Sequence, residues 1–186
     1  MNRLEVGTAQ PLSAAELAAA VARVAGGACA ATVVGCGSMG KQYVNALRAL
    51  GVRRIRISSR SAGPLEELRG AAGGLETVAG GVERLACRPQ ESELGIIATP
   101  TALLVSAAER LAALGFRRLL IEKPVSLRSD RIEQLADALE RQGVDAVCAY
   151  NRVAYPSFHE ARARACQEGG ITSCSYTFTE MIKPDW

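Results

Sequence analysis

A short apolar run, Cys29 to Val34, ends in Gly35-Cys36-Gly37-Ser38-Met39-Gly40 and passes at once into a helical pattern carried by Tyr43, Val44, Leu47 and Leu50. Few arrangements need three glycines at that spacing between a strand and a helix. The first permits a tight turn, the second lets a phosphate approach the backbone, and the third lets the helix lie close to the strand. A helix beginning near Ser38 directs free N–H groups and the positive end of its dipole at the same space. A glycine turn used only for strand-helix packing would look the same in isolation. The surrounding strand, turn and helix point instead to a dinucleotide pyrophosphate.

The rest of the chain repeats this rhythm. Strands are expected at Arg54 to Ser58, near Thr77 and Val78, at Leu94 to Ala98, at Arg118 to Ile121 and at Val144 to Tyr150. Helices are expected at Pro64 to Ala72, Gly81 to Cys87, Thr101 to Leu114 and Ser129 to Arg141, the last with Ile132, Leu135 and Leu139 inward. Alternating strands and helices predict an α/β protein with a doubly wound parallel sheet covered on both faces. A capped helix from Ala14 to Ala25 precedes this unit. After Asn151 the pattern changes to a helix, Tyr155 to Glu168, stopped by Gly169-Gly170, and a β-rich segment from Thr172 to Met181. The expected organisation is an N-terminal extension (1–28), a nucleotide-binding domain (29–150) and the start of an incomplete α/β domain (151–186).

Composition narrows the function classes. A net charge of +3 from interspersed charges gives no basis for a nucleic-acid or membrane-surface partner. Six cysteines without a CxxC pair suggest reduced thiols rather than a zinc site or disulfide framework. Neither a signal peptide nor a membrane span is read in the sequence, so a cytoplasmic location is expected. His159 is the only histidine, which argues against Ser-His-Asp or Cys-His chemistry and against a histidine-built metal site; it reads as a solvated helix residue.

Three further segments carry chemistry. About 20 residues beyond the glycines, where an NAD site places a carboxylate for the ribose 2′-hydroxyl, stand Ser58-Ser59-Arg60-Ser61. Hydroxyls and a guanidinium suit a 2′-phosphate, so Ser59 and Arg60 favour NADP over NAD, an exposed polar turn being the other reading. Thr99-Pro100-Thr101 closes a strand at the carboxyl edge of the sheet and should border the nicotinamide, although a proline turn needs no ligand. Ile121-Glu122-Lys123-Pro124 ends the next strand on that edge. Only three lysines occur, so choosing lysine over arginine at 123 matters: an ammonium can give and take a proton where a guanidinium cannot. Lys123 is the candidate proton donor, with Glu122 to fix its position; a surface ion pair before a proline turn is the competing account.

In order, VVGCGSMGKQYVNAL, ISSRS, IIATPTALL, LLIEKPVSL and AYNRVAYPSF resemble the Gfo/Idh/MocA family, relatives of glucose-fructose oxidoreductase and inositol dehydrogenase, from about Ala30 to the last residue. The ending Met181-Ile182-Lys183-Pro184-Asp185-Trp186 resembles the branch found in surface-polysaccharide and nonulosonic-acid sugar pathways. The resemblance implies a Rossmann domain and a second α/β domain whose open sheet walls the substrate site and often forms the oligomer interface. It implies Lys123 as catalytic lysine, and Asn151 and Arg152 as substrate-pocket residues. Two departures stand out. Leu104 occupies a position where the family usually has histidine. Family members also run to roughly twice this length, so the sequence is expected to be a fragment or a shortened protein, without the usual catalytic-histidine region.

The leading expectation is an NADP- or NAD-dependent oxidoreductase acting on a hydroxyl or carbonyl of a sugar, sugar nucleotide or cyclitol. Gly35, Gly37, Ser38, Met39, Gly40, Ser59, Arg60, Thr99 and Pro100 would hold the cofactor beside Glu122 and Lys123. The alternative is a catalytically inactive dinucleotide-binding module or partner subunit lacking the substrate domain, and the expected assembly is a homo-oligomer or a complex with a partner subunit. A methyltransferase with a similar glycine loop is disfavoured by the missing acidic residue and by the Glu-Lys-Pro edge.

Overall fold

The computed structural model describes residues 30–70, 74–86, 88–90, 93–150 and 155–170. Residues 30–150 fall in one compact unit and 155–170 in another. The expected helix at Ala14 to Ala25 and β-rich segment at Thr172 to Met181 lie outside the described residues.

Six parallel strands build the first unit: β1 (Ala30–Val34), β2 (Arg54–Ser59), β3 (Leu75–Ala79), β4 (Leu94–Ile97), β5 (Arg118–Ile121) and β6 (Asp145–Cys148). Helices α1 (Ser38–Ala49), α2 (Gly63–Gly70), α3 (Thr101–Leu114) and α4 (Ser129–Arg141) connect them. The strand order is β3-β2-β1-β4-β5-β6, a doubly wound Rossmann sheet whose order reverses between β1 and β4. The crevice of such a sheet lies outside the carboxyl ends of those two strands.

Strand alternation divides the apolar side chains into two cores. Ala31, Val33, Ile57 and Ile96 pack with Val44 and Leu47 of α1 and Leu65 and Leu68 of α2. Val34, Ile97, Leu119 and Ile121 face the opposite way, against Leu104 and Leu111 of α3, Phe116, and Leu135 and Leu139 of α4. Gly95 exists for this second core, since a methyl group there would stand 2.8 Å from Leu119 Cδ2 and 2.9 Å from Leu111 Cδ1.

A polar row crosses the sheet through the paired residues Glu76, Arg56 and Thr32. Thr32 Oγ1 donates to Glu93 Oε1 at 2.6 Å, and Arg56 Nη1 donates to both, at 3.1 Å to Thr32 and 3.3 Å to Glu93. Glu93 Oε2 accepts the Gln90 N–H at 2.9 Å, and Arg56 Nε reaches Glu76 Oε1 at 2.9 Å. A buried carboxylate is tolerable only when its oxygens are engaged in this manner.

Three expectations are corrected. Where a helix is expected from Gly81 to Cys87, the described residues 81–86 form only a 3₁₀ turn, Val82–Arg84. Gly80 and Gly81 adopt φ of 99° and 78°, and both donate their N–H to the Ser59 carbonyl, which turns the chain before a helix can start. Ile132 is not fully inward but 41% exposed, on an open groove that it lines with Val125, Leu135 and Cys148. β6 itself covers Asp145–Cys148 rather than Val144 to Tyr150, Val144 being held by its N–H bond to the Leu139 carbonyl.

In the second unit α5 (Pro156–Gln167) starts with proline in its first turn and is followed by Gly169 and Gly170 at positive φ. His159 is half-buried there, its ring edge-on to Phe158. Among the described residues no helix is long and apolar enough to cross a membrane.

Glu93→Ala is expected to lower the unfolding free energy by about 2–4 kcal/mol, because it leaves Arg56 and Thr32 without their buried acceptor. Urea denaturation followed by circular dichroism measures it.

Candidate functional site

The backbone ladder runs one residue past each strand and brings the following loops to a single edge. Gly35 N–H donates to the Ser58 carbonyl at 2.7 Å, Ala98 N–H to Val34 at 2.8 Å, Glu122 N–H to Ile97 at 2.9 Å and Ala149 N–H to Ile121 at 2.8 Å. The glycine loop, Ser58-Ser59-Arg60, Thr99-Pro100 and Glu122-Lys123, far apart in sequence, therefore all lie at the carboxyl edge.

Each glycine of the loop has a distinct physical role. Gly35 has φ of +108°, and a methyl group on it would stand 2.3 Å from the Ala98 carbonyl oxygen. On Gly40 a methyl group would meet the Gly35 carbonyl oxygen at 1.9 Å, so α1 and the loop touch backbone to backbone. Gly37 faces nothing within 4 Å. As the N-cap of α1 it leaves the first-turn N–H groups without a side-chain cap, next to open space. An anion fits where those amides point.

This loop floors a cleft of about 380 Å³ between the ends of β1, β2 and β4. Ser59, Arg60 and Ser61 border it on one side, Thr99 and Pro100 on the other. Ser58 Oγ and Thr99 Oγ1 are buried against it without a hydrogen-bond partner. Orphaned hydroxyls are uncommon in a folded chain, and two beside one glycine cradle fit a polar ligand such as a dinucleotide. Ser38 and Met39, at the exposed start of α1, do not line the cleft wall, and neither do Glu122 and Lys123, which end the adjoining strand β5.

Glu122 is held differently from expectation. Its Oε1 accepts the Tyr43 hydroxyl at 2.6 Å and its Oε2 the Lys123 N–H at 3.1 Å, and it forms no ion pair with the Lys123 ammonium. Burial, followed by the bond to Glu122, pushes the Tyr43 hydroxyl well above the ordinary tyrosine range. The Cys148 thiol at the end of β6 is also raised, first by burial and then by the Glu122 charge, while Lys123 pulls it down. Cys36 packs as a small buried residue, its thiol raised by burial and donating to the Pro64 carbonyl at 3.3 Å.

Sequence reasoning missed Tyr43 and Glu83 at this edge and named Ser58 only as part of the Ser58-Ser59-Arg60-Ser61 segment. Tyr43 belongs to the apolar repeat of α1, which hides its hydroxyl. Ser58 sits among serines with no mark of its burial. Glu83 comes from the 3₁₀ turn after β3 and lines the cleft near Arg60: a methyl group on Gly81 would lie 2.9 Å from Glu83 Oε2 and 3.3 Å from Arg60 Cγ. Leu104, where the resemblance leads one to expect histidine, is a core residue of α3. Asn151 and Arg152 lie outside the described residues. Among the described residues no cluster of His, Cys, Asp and Glu is placed to hold a metal ion.

Comparison with known proteins agrees with this geometry. Residues 30–150 match the sequence model of the Gfo/Idh/MocA group, described as an oxidoreductase family with an NAD-binding Rossmann fold. The myo-inositol dehydrogenase Hyg17 of Streptomyces leeuwenhoekii is 31% identical over 132 residues, 71% of this chain and 39% of that protein. A myo-inositol dehydrogenase from Corynebacterium glutamicum superposes with a TM-score of 0.62 at 25% identity, over 77% of this chain and 42% of its own. The WlbA dehydrogenase of Bordetella pertussis, solved with NADH and UDP-GlcNAcA, gives a TM-score of 0.63 at 20% identity, over 76% and 42% of the two chains. The chain thus spans about two fifths of the length of these relatives.

Gly37→Ala is expected to leave unfolding stability within about 0.5 kcal/mol of the parent while weakening NADH binding, because its methyl group enters only the open space above α1. Gly40→Ala is expected to lose the folded state through its clash with the Gly35 carbonyl. Thermal melts and fluorescence titration of the two variants separate the effects.

Proposed function

The chain belongs to the Gfo/Idh/MocA family of oxidoreductases with an NAD-binding Rossmann fold, and on that premise we propose that it takes part in hydride transfer at a hydroxyl or carbonyl carbon of a sugar, sugar nucleotide or cyclitol. The observation that carries this reading is the convergence of the glycine cradle, the two unpartnered hydroxyls and the Glu122-Lys123 pair on one sheet edge. The dehydrogenase names of the relatives support the carbohydrate-like substrate class.

A nicotinamide cofactor, when bound, supplies or accepts the hydride. The α1 amides from Ser38 to Gly40 hold its pyrophosphate, and Gly35 and Gly37 keep the floor free of side chains. Ser58 Oγ and Thr99 Oγ1 bond the polar groups that lie on them, with Pro100 shaping the nicotinamide side. Ser59 and Arg60 take the adenosine end, and their donors favour NADP over NAD. Glu83 opposes that preference by placing a carboxylate beside the same position. As charge develops on the substrate oxygen, Lys123 stabilises it and passes the proton, its ammonium being free of the Glu122 carboxylate. Residues 29–150 form the cofactor domain, and residues from 151 onward, with Asn151 and Arg152, begin the substrate and assembly domain. The protein works in the cytoplasm as a homo-oligomer or with a partner subunit.

Fluorescence titration with NADPH and NADH tests the reading directly. Saturable binding is expected, and its absence for both would reduce the glycine loop to a packing turn. Arg60→Ala should weaken NADPH by about tenfold, the equivalent of 1.4 kcal/mol, and NADH far less, whereas Glu83→Ala should strengthen NADPH. Lys123→Met should keep cofactor affinity while losing turnover in stopped-flow assays with cyclitol or sugar substrates; unchanged turnover would remove Lys123 from the chemistry.

A further inference from the structure

The Tyr43 hydroxyl donates to Glu122 Oε1 at 2.6 Å, joining α1 to the end of β5 across 79 residues of sequence. The remaining carboxylate oxygen takes the backbone N–H of Lys123 at 3.1 Å. Both oxygens are thereby engaged, and among the described residues the Lys123 ammonium makes no ion pair with its neighbour. A carboxylate one residue along an extended segment points away from the ammonium and pairs with it only when its side chain turns back. A pair of that kind favours the charged amine and resists proton release. The arrangement here withholds that pairing.

The titratable groups tied to the Glu122-Lys123 pair come from two further elements: Tyr43 of α1, bonded to Glu122, and Cys148 at the end of β6, which feels both the Glu122 and the Lys123 charge. Glu122 is the one carboxylate of this set. Tyr43 remains a neutral donor over the range in which an amine titrates, since burial and the bond to Glu122 both hold its proton. An O–H aimed at a carboxylate oxygen also draws that charge toward itself, which weakens the field felt at a nearby ammonium.

We propose that Tyr43 is a positioning residue for Lys123, holding the Glu122 carboxylate on the cofactor helix so that the ammonium stays unpaired and able to exchange a proton. The proposal rests on the reading of Lys123 as the proton-handling group. It goes beyond that reading by assigning control of the lysine to a helix residue that does not line the cleft and reaches the lysine's strand only through Glu122. The helix that cradles the pyrophosphate at its first turn then also sets the state of the lysine through its second.

The test uses the full chain without added nucleotide. With only Lys41, Lys123 and Lys183 present, isotope-labelled reductive methylation gives few amine resonances, and Lys123→Arg assigns the one of interest. Its midpoint is followed by NMR against pH in the parent, Tyr43→Phe, Glu122→Gln and the double variant. Tyr43→Phe removes one oxygen and keeps the ring, and circular dichroism checks that each variant is folded. The expected result is an upward move of the Lys123 midpoint by about 0.5 or more in Tyr43→Phe, and none when the same change is made in the Glu122→Gln background. A purely structural tyrosine would not make the shift depend on Glu122. An unchanged midpoint, or an equal shift in both backgrounds, overturns the proposal. NADH and NADPH binding is read separately on the parent chain, so a failure of the functional reading is distinguished from a failure of the Tyr43 assignment.

Discussion

Three backbone segments meet in a space that admits no side chain: the end of β1 at Gly35, the end of β4 at Ala98 and the first turn of α1 at Gly40. The approaches are so close that a single methyl group would fall 2.3 Å or 1.9 Å from a carbonyl oxygen. Everything that defines the cleft depends on this junction. It sets how near α1 lies to the sheet, hence where its first-turn amides point, and it brings Thr99 opposite the glycine loop. Because the clashes are with backbone rather than with the ends of flexible side chains, neighbouring groups have little room to yield.

The two ends of the parallel sheet treat polar groups in opposite ways. In its lower half Glu93, Thr32, Arg56 and Glu76 bond to one another and close a network around a buried carboxylate. At the carboxyl edge Ser58 Oγ and Thr99 Oγ1 are buried with no partner. A chain that satisfies an ionised group in one place and leaves two hydroxyls unsatisfied in another marks the second place as the one fitted to a ligand. Tyr43 and Glu122 add a fixed link at that edge, joining the cradle helix to the strand that carries Lys123.

Legibility followed the range of the forces involved. Helix α3 begins after Pro100 and ends before Gly115 at φ of 103°, so local signals bound it and its limits are readable to the residue. The turn at Val82–Arg84 was not, because what decides it is the Ser59 carbonyl of β2 taking the N–H groups of Gly80 and Gly81 just past β3. Ile132 has the spacing of a core residue yet is exposed, since the spacing identifies a helix face but not whether the groove beside it is closed. The glycine loop and the Glu-Lys-Pro strand end were visible as motifs. Tyr43 was not, because a tyrosine at a packing position gives no sign of which acceptor its hydroxyl will find.

The sequence by itself determined the element types, their parallel alternation, the glycine cradle and the family, all of which rest on periodicity and on residues whose backbone demands are local. Only the tertiary structure decided which groups face each other at the carboxyl edge: Glu83 beside Arg60, Ser58 and Thr99 unpartnered at the cleft, and Glu122 held by the Tyr43 hydroxyl rather than by the ammonium of its neighbour Lys123. Those pairings depend on strand order and register, which bring residues separated by tens of positions within hydrogen-bonding distance. No local pattern records that distance.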